Sequence, residues 1–188
     1  MNKLTKIIVT FFGSGLSRVC PGTIGSILTL PLWFLIISVM LYLKLLQPVV
    51  FISIISIIIL ALFFIGLYFT KLYIEETKKE DPSEVVIDEV VGQLISFVLS
   101  LSFIFVIKDA VLFNNFVTEH KIFLLFYCFI MPIIFFRIYD IKKPWIIGTI
   151  DSKIKNALGV MLDDVVGGIF AGITNSLIMI TILKLFVF

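Results

Sequence analysis

From Val49 to Thr70 the chain reads VVFISIISIIILALFFIGLYFT, twenty-two residues without a charged group. A helix satisfies its own backbone hydrogen bonds, so about 20 apolar residues cross the ~30 Å hydrocarbon core of a bilayer. This stretch is long enough, and it decides the fold class. Working outward, Ile24 to Leu46, Val85 to Ile107 and Val165 to Phe186 meet the same requirement. A fifth window, Ile122 to Ile138, is shorter and contains Pro132, whose missing N–H predicts a kink. The expectation is an all-α polytopic membrane protein of about five spans, with residues 1–188 forming one membrane domain. Composition agrees: of 188 residues 60% are hydrophobic and 15% charged, with twenty Phe, and the mean hydropathy is +1.17. A soluble globular domain has a different mix.

The opening segment, Lys3 to Phe12, is too short to span and has no small-residue cleavage site, so it reads as an interfacial helix. Five spans put the termini on opposite faces. Lys3, Lys6, Arg18, Lys71, Lys78, Lys79, Arg137, Lys142, Lys143, Lys153 and Lys155 fall on one face, against Lys44, Lys108, Lys121 and Lys184 on the other. The richer face is expected to be cytoplasmic. Among the carboxylates only Asp109 and Glu119 fall outside. Two cysteines are too few for a disulfide framework or a cysteine zinc cluster, and a net charge of +2 gives no reason to expect nucleic acid.

All the polar motifs collect on the cytoplasmic side. Gly13 to Ser26 holds four glycines, a proline and four hydroxyl residues ahead of a span, and such a loop can turn N–H groups and hydroxyls toward an anion. It can equally be a flexible connector; Arg18 favours the anion. Asp88 and Glu89 are placed a turn or so inside an apolar helix, where carboxylates cost a few kcal/mol unless they meet a cation. Arg137, Asp140 and Lys143 recur every three residues and share a helix face. Asp163 and Asp164 open another apolar stretch; helix capping accounts for one of them, and the second asks for a cation. Lys142, Lys153 and Lys155 read as a topology flank.

Hard oxygen ligands without His or Cys suit Mg²⁺, and cations beside such a metal suit phosphate. The residue types point to metal-assisted phosphoryl chemistry on a lipid, with the bilayer holding the acyl chains. Several other routes lack their residues. His120, the one histidine, falls on the outer side, so a phosphohistidine intermediate has no candidate. Cys20 lacks a Cys-x5-Arg spacing and Cys128 lies in a span. No Asp-x-Asp-x-Thr/Val run and no Asp-Gly-x2-Ala-Arg run occurs.

Four blocks then stand in order: Pro21-Gly22-Thr23-Ile24-Gly25-Ser26, Val86-Ile87-Asp88-Glu89-Val90-Val91-Gly92, Phe136-Arg137 through Asp140 to Lys143-Pro144, and Gly159-Val160-Met161-Leu162-Asp163-Asp164. Together, from about Gly13 to Gly172, they resemble the phosphatidylglycerophosphatase A family. The chain departs from that pattern at Ile146, at Asn156-Ala157-Leu158-Gly159 and at Gly167, and none of these changes removes a charge. The resemblance implies a bacterial inner-membrane enzyme of phospholipid biosynthesis that hydrolyses the terminal phosphate of phosphatidylglycerophosphate with Mg²⁺. Its partners would be the phospholipid and the membrane, with the oligomeric state left open.

Placed on these residues, Asp88, Glu89, Asp163 and Asp164 are expected to hold one or two Mg²⁺ ions. Arg137 and Lys143, with Arg18, would balance phosphate charge. Asp140 would serve as a base or as a strut for Arg137. Thr23 and Ser26 would take remaining oxygens of the substrate. The rival readings are a divalent-cation channel or transporter using the same carboxylates, and an assembly subunit.

Overall fold

The computed structural model describes residues 2–107 and 119–187, and all regular structure among them is helical. A short α1 (Lys3–Val9) and a 3-10 turn (Ser14–Leu16) lead into α2 (Pro21–Tyr42) and α3 (Pro48–Thr77). Then follow α4 (Ile87–Ile107), α5 (Lys121–Phe129), α6 (Met131–Lys142), α7 (Ile146–Lys153) and α8 (Ala157–Val187). Each predicted span has its helix. Four stretches, α2, α3, the α5 and α6 pair, and α8, are long and apolar enough to cross a membrane. The remaining window is α4, 21 residues long, or about 31 Å at 1.5 Å per residue. Lys108 and Asp109, assigned to the outer side, lie outside the described residues.

The helix ends follow local chemistry. Pro21 and Pro48 stand in the first turns of α2 and α3, where a missing N–H costs nothing. Pro132 stands in the first turn of α6, and the chain breaks at Ile130, so one span is built from two helices. That span runs from Lys121 to Lys142, longer than the window expected from hydropathy. The Asn156 side chain accepts hydrogen bonds from the N–H groups of Leu158 (2.9 Å) and Gly159 (3.2 Å), capping α8.

That cap corrects one expectation. Asp163 and Asp164 do not open their helix, since α8 already begins at Ala157. Asn156 does the capping, so neither carboxylate has that explanation. Asp88 and Glu89, in turn, stand in the first turn of α4 rather than a turn inside it.

The centre of the bundle is α4. Val90, Val91, Leu94 and Phe97 are fully buried, and the Trp33 ring of α2 stacks on Phe97 at 5.4 Å. Against it lies α8, at a glycine crossing. A Cβ on Gly92 would stand 2.5 Å from the Asp164 carbonyl oxygen, and one on Gly168 would collide with the Gly92 carbonyl. Small residues at such a crossing let two backbones touch where no water drives association. On α3, by contrast, Ile57, Leu60, Phe64, Ile65 and Tyr68 are exposed, as a lipid-facing surface requires.

Candidate active site

Where α2, α4 and α8 begin and α6 ends, the helices enclose a cavity of about 400 Å³. The glycine crossing puts the two acidic pairs there together. Asp88 precedes Gly92 by one helical turn, and Asp164 precedes Gly168 by one turn, so contact between the glycines brings both pairs to one end of the bundle. Asp88, Asp163 and Asp164 are 7%, 6% and 3% exposed.

Helix α2 closes a second side. A Cβ on Gly22 would collide with the Glu89 carboxylate, and one on Gly25 would stand 3.0 Å from Glu89 Oε2. These glycines therefore admit the Glu89 side chain against the α2 backbone. Residues Cys20 to Thr23 line the cavity, so the N-terminal turn of α2, with its free N–H groups, faces the same space.

Cations enter from α6. Arg137 Nη1 lies 3.2 Å from Glu89 Oε1 and 2.6 Å from Asp140 Oδ2, as the three-residue spacing implies. Lys143 ends α6 in a left-handed conformation (φ 41). Its Nζ donates to Asp151 Oδ1 of α7 (2.6 Å) and Asp163 Oδ2 of α8 (2.8 Å). Burial pulls the Lys143 ammonium's pKa down, but these two carboxylates outweigh it and hold the pKa above the usual lysine range.

The balance of charge is uneven. Glu89 and Asp163 each have a cation, whereas Asp88 and Asp164 have no ion-pair partner among the described residues. Asp88 and Asp163 each accept a hydrogen bond from the next backbone N–H, at 2.9 and 3.0 Å. Glu89 Oε2 and Arg137 Nε are buried without a partner. Eight carboxylates line the cavity, Glu80, Asp81, Asp88, Glu89, Asp140, Asp151, Asp163 and Asp164, against Arg137, Lys143 and Lys155. Three of the eight, Asp88, Asp163 and Asp164, are buried, and buried carboxylates are costly unless a cation joins them.

This donor set fits a hard divalent cation by its oxygen chemistry and its surplus negative charge. Among the described residues no three of these groups already converge as a ready-made metal cluster. Mg²⁺ does not need one, because it keeps several waters and takes one or two carboxylates together with substrate phosphate.

Of the residues expected at the site, Asp88, Glu89, Arg137, Asp140, Lys143, Asp163, Asp164 and Thr23 line one cavity. Two do not. Arg18 is exposed and outside the lining, and Ser26 is fully buried on α2, its Oγ unpartnered. The glycine-rich segment thus acts through close packing on Glu89 and through the start of α2. Sequence reasoning missed Asp151, which holds Lys143 from the far side, and the acidic wall of Glu80 and Asp81. It also missed a signal for the central helix pair: Asp88-Glu89-Val90-Val91-Gly92 is nearly repeated by Asp163-Asp164-Val165-Val166-Gly167.

The family described as Phosphatidylglycerophosphatase A matches residues 7–179. Two curated relatives are similar over most of their length. One, named Phosphatidylglycerophosphatase A, from Escherichia coli (strain K12), is 28% identical over 88% of this chain and 77% of its own. The other, named Putative phosphatidylinositol-3-phosphatase, from Bacteroides thetaiotaomicron, is 29% identical over 89% of each chain. No solved structure matches.

Proposed function

The chain belongs to the phosphatidylglycerophosphatase A family, and from that membership we propose that it hydrolyses the terminal phosphomonoester of phosphatidylglycerophosphate, giving phosphatidylglycerol and phosphate. The observation that carries this reading is one cavity in which two buried acidic pairs from α4 and α8 meet Arg137 and Lys143. Carboxylates alone would repel a phosphomonoester. Carboxylates with fixed cations and room for a divalent ion would bind one.

In this reading Arg137 and Lys143 face the phosphate oxygens and offset the charge that grows on them in the transition state. Asp140 and Asp151 act as struts, since each fixes one of those cations by an ion pair of 2.6 Å. Thr23 and the first N–H groups of α2 take a further oxygen. Asp88 and Asp164 are the principal candidates to hold Mg²⁺, with Glu89 and Asp163 beside them already tied to cations. When bound, Mg²⁺ would supply charge neutralisation at the phosphate and make water more acidic. Overall, a water oxygen forms a bond to phosphorus, the bond from phosphorus to the glycerol oxygen breaks, and that oxygen takes a proton. We place the enzyme in the bacterial inner membrane with this cavity toward the cytoplasm, on the charge distribution of its loops.

Transport has less support. Neither α4 nor α8 carries a carboxylate beyond Glu89 or Asp164, and the buried polar residues deeper along them, among them Gln93, Ser96, Ser100 and Asn175, are uncharged. The test is phosphate release by the purified protein from phosphatidylglycerophosphate, phosphatidic acid and phosphatidylinositol 3-phosphate, each with Mg²⁺ and with chelator. Mg²⁺-dependent release favouring the first substrate is expected. Preference for the inositol lipid would move the head-group assignment, and no release from any of them by folded protein would overturn the reading.

A further inference from the structure

Between α6 and α7 the chain makes a turn strained on both sides of a proline. Lys143 (φ 41, left-handed) and Trp145 (φ 51, ψ −121) both have a positive φ that side chains with a Cβ disfavour, and Pro144 stands between them. The turn sends its two long side chains apart. Lys143 points into the cavity, onto Asp151 and Asp163. Trp145 points out, 76% exposed, its ring centroid 6.1 Å from that of Phe170 on α8.

Phe170 also stacks on Tyr139 (5.8 Å), whose hydroxyl hydrogen-bonds the Thr174 hydroxyl (2.8 Å), so the aromatic group is fixed to α6 and α8. It lies toward the bilayer from the carboxylates, since Phe170 follows Asp164 by six residues, about 9 Å along the helix. On α8, Ile173 and Leu177 lie within about a turn or two of Phe170 on the same side of the helix and are exposed, so an apolar surface continues from it toward the bilayer. On α7, Ile147 is buried and Asp151 turns to Lys143, while Ile146, Thr149, Ser152 and Lys153 face out. Exposed Lys142, one residue before the turn, and exposed Lys153, at the end of α7, supply cations in the same segment. An aromatic ring on an apolar helix surface, with cations in the same segment, is the surface that the head-group layer of an anionic bilayer covers.

We propose that Trp145 anchors α7 in the head-group layer of the membrane, and that the Lys143-Pro144-Trp145 turn thereby holds the Lys143 wall of the cavity at the depth of the lipid phosphates. The anchored wall lets a lipid phosphomonoester enter sideways from the leaflet. This access route rests on the reading of the cavity as a lipid phosphatase site; the depth of Trp145 does not.

The test uses the full chain in nanodiscs of phosphatidylethanolamine and phosphatidylglycerol. Trp33 is the other tryptophan, so the emission lost in Trp145→Phe isolates the Trp145 signal. That signal is expected to be quenched by at least half when the lipids are brominated near the head-group end of their chains, and to resist aqueous iodide. Weaker lipid quenching, whether iodide quenches or a protein partner shields the ring, overturns the anchor. In a second arm, Trp145→Ala is expected to raise KM about tenfold for long-chain substrate embedded in the nanodisc. Its kcat/KM on a short-chain, water-soluble analogue should stay within twofold. Equal losses on both substrates would show a merely structural role and overturn lateral entry. Wild-type protein inactive on both would fail the phosphatase reading while the quenching arm still decides the anchor.

Discussion

Helices α3 and α4 are neighbours of similar apolar character, yet they stand in opposite relations to their surroundings. On α3 only Phe51, Ile55, Gly66, Thr70 and Tyr73 are buried. On α4, from Ile87 to Val98, every residue but Glu89 and Ile95 is buried. The difference lies in the polar and small residues. Asp88, Glu89, Gly92, Gln93 and Ser96 make one helix unsuited to lipid contact and able to touch α8 backbone to backbone, whereas α3 offers lipid a surface of Ile, Leu and Phe. Hydropathy tells which segments enter the membrane. The interruptions of hydropathy tell which one is inside and where the chemistry is.

This contrast is sharpest at the carboxylates. Replacing Asp88 or Asp164 with Asn keeps size and removes charge. The expected outcome is a fall in kcat of about 10²–10³-fold, the scale of losing a preorganised electrostatic element, with the thermal unfolding of the purified protein unchanged or raised. Near-normal turnover in either variant would break the comparison. Gly92→Leu or Gly168→Leu should come next. With no room at the crossing, overpacking costs about 1–3 kcal/mol or more, and both melting temperature and activity should fall, because the acidic pairs separate.

Lys143→Ala should cost about tenfold or more in kcat/KM, since it removes a charge-assisted contact to phosphate. Asp151→Asn should cost less, because Asp163 still holds Lys143 at 2.8 Å. A larger loss from Asp151 than from Lys143 would mark Asp151 as more than a strut. On α3, Leu60→Ala faces lipid at 56% exposure, so stability should shift within ~0.5 kcal/mol and turnover by less than twofold. Chemical denaturation and phosphate release check both.

How far the sequence could be read follows from the same contrast. The spans were visible because a bilayer demands long apolar segments, and Arg137, Asp140 and Lys143 because helix spacing aligns them. The expected window for α8 begins too late because Asp163 and Asp164 interrupt the hydropathy of a helix that is already apolar from Ala157 to Leu162 and starts at the Asn156 cap. Residue type and nearness in sequence point Arg18 and Ser26 to the site. The structure instead exposes one and buries the other, because the glycines between them serve the packing of α2 against Glu89. Asp151 had no sequence signal beyond its charge, since its partner lies on the previous helix. The near-repeat at Asp88 and Asp163 was there to be read, and it marks the helix pair that builds the cavity.

The central claim is that the acidic pairs of α4 and α8 form one cation site. Its most direct measurement is a titration of the folded, purified protein with Mn²⁺, a spectroscopic stand-in for Mg²⁺, followed by electron paramagnetic resonance in the wild type, Asp88→Asn and Asp164→Asn. The account predicts saturable binding in the wild type, displaced by Mg²⁺ and weakened at least about tenfold by either substitution. Binding lost in one variant and untouched in the other would contradict a shared site.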